Sequence, residues 1–74
     1  MQLSNRIVAD PEFVHGRPRV AGTRIRVTDV LGYLASGMTP DEVVEDFPEL
    51  SIEDVLACLR YAAAEQDHYV LAAI

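Results

Sequence analysis

The chain of 74 residues contains no lysine, one cysteine and no apolar run long enough to cross a membrane. A single cysteine excludes an intramolecular disulfide, which agrees with a reducing compartment, so the cytoplasm is the expected location. The opening stretch, MQLSNRIVAD, has no secretory apolar segment, and neither export nor membrane attachment is expected. A net charge of −6 argues against a generic nucleic-acid coat. There is no internal repeat and no low-complexity tract. With lysine missing, every basic side chain is an arginine. Arginine grips carboxylate and phosphate in a planar fork, so its clustering points to shaped recognition.

The arginines are clustered. Four of the six, Arg17, Arg19, Arg24 and Arg26, lie in HGRPRVAGTRIRV, from His15 to Val27. From Asp29 onward ten acidic residues face one arginine, a net charge of about −9, whereas residues 1–28 carry about +3. This sorting suggests an arginine-bearing arm on an acidic body, an arrangement suited to binding a partner. The size allows one domain, which buries only about 60% of its unfolded surface. Half of the residues are apolar, so a core can form, and a homodimer would add burial.

The chain divides near Thr28. Residues 1–27 read as a β arm: Ile7-Val8 extended, a turn at Asp10-Pro11, then Pro18 to Val27 with a break at Ala21-Gly22. Ile25 and Val27 alternate with Arg24 and Arg26, a strand pattern. If Arg17–Val20 pairs with Thr23–Val27 around Ala21-Gly22, Arg19 faces Arg24, Arg17 faces Arg26, and all four arginines share one face. Such like-charge pairs call for an anionic surface, although alanine suits the first position of a tight hairpin turn poorly. The bland alternative is that the arginines are solvated or pair with the chain's own carboxylates.

Residues 28–74 read as a three-helix body. Thr28-Asp29 opens a helix to about Ser36, with Val30, Leu31 and Leu34 buried and Gly37 as its stop. Gly32 inside it suggests close approach of another element. Thr39-Pro40-Asp41-Glu42 is a capping box opening a short helix, ended by Phe47-Pro48. Ser51 opens the third helix, whose apolar stripe is read as Ile52, Val55, Leu56, Leu59, Ala62 and Ala63, continuing through Tyr69, Val70 and Ala73. The expected fold is therefore mainly α: a three-helix, homeodomain-like (helix-turn-helix) body with a short N-terminal β arm or hairpin.

Catalytic chemistry finds little support. Cys58 falls beside the apolar stripe and is read as packing. His15 and His68 form no cluster with it, and zinc needs three or four convergent ligands. The acidic run Asp41, Glu42, Glu45, Asp46 and Glu49 overlaps a helix cap and a helix face. Gly16, Gly22, Gly32 and Gly37 lack phosphate-cradling spacing. No cofactor or metal is expected, and the chain is not read as an enzyme.

A run of motifs resembles a known family. Asp10-Pro11, His15-Gly16-Arg17-Pro18 and Gly22-Thr23-Arg24-Ile25 are followed by Leu34–Thr39, Glu42, Phe47–Ser51 and Asp54-Val55. Together they are similar to the domain-of-unknown-function family numbered 433, from about Ile7 to Ala64; Arg26 stands where many members carry proline. The resemblance implies a homeodomain-like body behind a β arm, with Gly16, Pro18, Gly22, Thr23, Ile25 and Pro48 as structural positions. It also implies a VapB-like antitoxin that neutralises a PIN-like ribonuclease encoded by a neighbouring gene. Arg17, Arg19, Arg24 and Arg26 are the partner-binding candidates. A second reading is a transcriptional regulator holding promoter DNA through a dimeric arginine arm. Reading of DNA by the third helix is disfavoured, because Ser51-Ile52-Glu53-Asp54 is acidic where such helices meet bases. A third reading, a homodimeric adaptor, is compatible with the first.

Overall fold

The protein is described by a computed structural model, which gives the backbone of residues 1–73 and the side chains of residues 1–66. Three short strands, β1 (Gln2–Ser4), β2 (Ile7–Val8) and β3 (Arg19–Val20), form an antiparallel sheet in the order β1-β2-β3. Three helices follow: α1 (Val27–Ala35), α2 (Pro40–Asp46) and α3 (Ile52–Ala73). The fold is mainly α with a small N-terminal sheet, as the sequence predicts. The sheet is larger than expected, since β1 had no recognisable strand pattern.

Strands of two or three residues cannot stand alone. Here burial holds them. Ile7 of β2 and Val20 of β3 are fully buried, packed with Val27 and Val30 of α1, Val43 of α2, Leu50, and Val55, Ala57 and Cys58 of α3. Each such aliphatic side chain contributes roughly 1.5–3 kcal/mol through burial. The core draws on every helix and on two strands, so the N-terminal segment is part of the body and does not project from it.

Local signals set the helix ends. Asp29 accepts from the Arg26 backbone N–H at 3.1 Å, so α1 starts at Val27 with Arg26 at the N-cap, ahead of the Thr28-Asp29 cap read from sequence. At its other end Gly37 takes φ +108. The Gly37 N–H reaches Leu34 O and the Met38 N–H reaches Tyr33 O, the paired bonds of a Schellman stop. For α2, Thr39 Oγ1 accepts from Glu42 N and Glu42 Oε1 accepts from Thr39 N. This is the predicted capping box, and its bonds hold the Glu42 carboxyl below its ordinary value. The Tyr33 and Phe47 rings stack at 4.8 Å, tying α1 to the end of α2.

Two readings need correction. The inward face of α3 is Asp54, Val55, Ala57 and Cys58, whereas Ile52 and Leu59 are exposed by 36% and 39%, and Ala63 is exposed. The helix is apolar on two sides, and the fold buries the one that contains Asp54. That carboxylate is satisfied: it accepts from Ser51 N (2.9 Å) and from Arg6 Nη1 (3.1 Å). The expected continuation through Tyr69, Val70 and Ala73, like His68, lies outside the described side chains. The second correction is Gly32: a Cβ there would meet nothing within 4 Å, so no element approaches closely.

Val55→Ala should therefore cost about 2 kcal/mol, between the usual Ile→Val and Leu→Ala losses. Leu59→Ala should cost less than about 1 kcal/mol, as surface changes do. Thermal melts in dilute solution check the contrast, and a larger loss for Leu59→Ala would reverse the assignment of faces. Gly32→Ala should stabilise by up to about 1 kcal/mol from helix propensity alone, seen as a raised midpoint in urea unfolding.

Candidate partner-binding surface

The arginine segment is shaped by the turn after β3. Val20 O accepts from Thr23 N and Thr23 Oγ1, and Thr23 Oγ1 accepts from Ile25 N. Gly22 takes φ +79 at the third turn position, where a type II turn needs a left-handed residue and tolerates alanine before it. The chain then returns antiparallel, with Val20 N bonded to Ile25 O and Val27 N to Pro18 O. The hairpin is real, but its register differs from the one expected. The loop spans Ala21 to Arg24, and Arg19 lies opposite Arg26, not Arg24. Thr23, acting through its hydroxyl, lengthens the loop by two residues.

With that register the four arginines do not share one face. Arg19 donates from Nη1 to Asp10 Oδ2 (3.2 Å) and from Nε to Thr23 O (3.1 Å), and its side chain is only 13% exposed. Arg26 places Nε and Nη2 on the two Asp29 oxygens, at 3.2 and 3.0 Å. These two are engaged by the chain's own carboxylates, as the bland alternative had it. Arg17 and Arg24 are exposed and have no carboxylate within ion-pair distance among the described residues.

Arg24 is nonetheless held in place. Its guanidinium sits 4.7 Å from the centre of the Phe13 ring, and that of Arg19 sits 4.3 Å from it. An arginine over an aromatic face is attracted by the ring quadrupole. Phe13 in turn is set by a bridge to Asp10 and by a left-handed turn in which Val14, His15 and Gly16 take φ of 54, 56 and 74. A branched residue at positive φ costs of order 1–3 kcal/mol and persists only where its surroundings impose it. Phe13, Gly22, Thr23 and Arg24, with Arg19 and Glu49, border one cleft. Arg17 borders another, an apolar groove lined also by Pro18, Leu31, Tyr61 and Glu65.

Arg17, Arg19, Arg24, Gly22 and Thr23 thus meet around or beside these clefts, Ile25 packs against the core, and Pro48 follows the end of α2. Arg26 belongs to the cap of α1. The roles of Phe13 and Asp10 were missed in the sequence, where Asp10 reads only as part of a turn and Phe13 stands alone between Glu12 and Val14. Cys58 is fully buried, and burial followed by the charge of Asp54 pushes its thiol up to about 11, which leaves it unreactive. Among the described residues there is no group of three or more potential metal ligands and no helix able to span a membrane.

A family model described as "Protein of unknown function (DUF433)" matches residues 7–62. An uncharacterized protein of Sinorhizobium fredii (strain NBRC 101917 / NGR234), y4eO, is 33% identical over 58 residues, 78% of this chain and 26% of that protein. The crystal structure of a DUF433 member protein from Anabaena variabilis ATCC 29413 superposes with a TM-score of 0.79 at 29% identity, covering 89% of this chain and 65% of that one. The chain spans about a quarter of the first relative and just under two thirds of the second.

The hydrogen bonds from Arg26 hold the Asp29 carboxyl below its ordinary value of 3.8. Its contribution to stability is complete above that value and is lost as pH falls from there through the depressed folded value. Asp29→Asn should therefore flatten the acid limb of the stability profile, measured by urea unfolding at successive pH values. An unchanged slope would remove Asp29 from the account of acid sensitivity.

Proposed function

The chain belongs to the DUF433 family, and we propose that it is an antitoxin-like binding module that docks on a PIN-like ribonuclease partner and neutralises it. The observation that carries this reading is Arg24, exposed, stacked on Phe13 and without a carboxylate of its own among the described residues. A guanidinium already fixed against a ring loses little side-chain freedom on binding, so more of its interaction with an acidic group survives as affinity. Nucleases that work through metal-binding carboxylates present such acidic groups. Arg17, beside the groove of Pro18, Leu31 and Tyr61, offers a second cation next to apolar contact area, the pairing of charge and burial found at binding hot spots.

The competing reading, a DNA-binding regulator, would use the same two arginines on phosphates. Helix-turn-helix docking by α3 is disfavoured: its first turn exposes Glu53, and Asp54 is tied beneath Arg6. A complex on DNA would instead weaken steeply with salt.

Co-expression with the nuclease encoded by the neighbouring gene, followed by pull-down and a ribonuclease assay, tests the proposal. A complex that suppresses cleavage is expected, with Arg24→Ala weakening it by roughly tenfold or more at an unchanged melting temperature. A nuclease that stays active in the presence of the wild-type chain would overturn the reading.

A further inference from the structure

Helix α3 has two apolar faces, and the fold covers one. Ile52, Leu56, Leu59 and Ala63 recur at intervals of four, three and four residues, which places them in one stripe along the helix. Ile52 is 36% and Leu59 39% exposed. Ala63 is exposed, and Leu56 is half-buried without belonging to the side chains packed on the core. The stripe lies away from Asp54, Val55, Ala57 and Cys58, which face inward. This spacing is that of a seam between two packed helices, and none of the described residues fills it.

Charge selects the occupant. Glu53 and Arg60 are seven residues apart, so they stand on the same flank of the seam, and both are exposed. When two helices pack antiparallel, like flanks meet. Three registers bring the seam residues of two copies into layers. Leu56 against Ile52 of the second copy sets Glu53 against Glu53. Leu59 against Ala63 of the second copy sets Arg60 against Arg60. Leu56 against Leu59 of the second copy, with Ile52 against Ala63, sets the Glu53 of each copy against the Arg60 of the other. Only the third makes two opposite-charge pairs.

We propose that this outer face of α3 is where two copies of the chain associate, as an antiparallel helix pair in the third register. The interface is isologous, so each contact occurs twice. It leaves Arg17 and Arg24, which lie on either side of β3 in the chain, outside the seam. The proposal does not depend on a nuclease partner.

Sedimentation equilibrium of the full chain from micromolar to millimolar concentration tests it. The wild type should self-associate to a dimer. Leu59→Glu should weaken association by more than about a hundredfold, because two leucines leave the seam. Glu53→Arg or Arg60→Glu alone should weaken it by roughly tenfold, each replacing two attractive pairs with repulsive ones. The double variant Glu53→Arg with Arg60→Glu should regain most of the loss, since its pairs are again complementary. Circular dichroism of the dilute variants verifies that each is folded. A wild type that stays monomeric throughout, a dimer indifferent to Leu59→Glu, or a double variant no tighter than the singles would each overturn the proposal.

Discussion

The burial of Ile7 and Val20 is the constraint on which the rest of this small protein depends. Neither β2 nor β3 has the length to persist by backbone pairing, yet both side chains are fully buried against valines from α1, α2 and α3. Through them the N-terminal third is fixed to the helices. The turn at Ala21–Arg24, the left-handed turn at Val14–Gly16 and the Phe13 platform all hang from that anchoring. A second tie reinforces it: Arg6, at φ +69 in the turn between β1 and β2, reaches the Asp54 carboxylate that caps α3, 48 residues away. A strained residue at one end and a buried carboxylate at the other are each costly alone, and each is accommodated by the other.

Electrostatics follows from this geometry. The sequence separates a basic segment from an acidic one, but the fold interleaves them: Asp10 takes Arg19, Asp29 takes Arg26 and Asp54 takes Arg6. What is left for recognition is smaller than the cluster read from sequence and better ordered. Of the cluster two exposed arginines remain, one stacked on an aromatic ring and one beside an apolar groove. The outward face of α3 carries its own apolar stripe. The molecule thus offers two surfaces of different chemistry.

Much of the helical part was legible because its signals are local. Thr39 with Glu42 and Pro40, the stop at Gly37 and the start at Ser51 depend on residues within one turn of each other. The inward face of α3 was not legible, because Ile52, Leu56 and Leu59 match helical spacing as well as Val55 and Cys58 do. Asp54 made the true face look polar, and only its distant partner Arg6 explains its burial. The hairpin register failed for a related reason: the hydroxyl of Thr23 builds part of the turn, and Ala21-Gly22 alone suggested a shorter one. The arginine cluster was visible as charge, but its division into engaged and exposed members rests on Asp10, Asp29 and Phe13, whose roles appear only in three dimensions.

The core beneath the arginine segment holds it rigid in the free protein. Amide hydrogen exchange measures this directly at the N–H groups of Val20, Ala21 and Val27, bonded to Ile25 O, Arg6 O and Pro18 O. Their protection should match that of the Val55 to Cys58 amides in α3, so that all exchange only on global unfolding. Exchange at these three amides orders of magnitude faster than in α3 would show a segment that opens on its own, and would contradict the account.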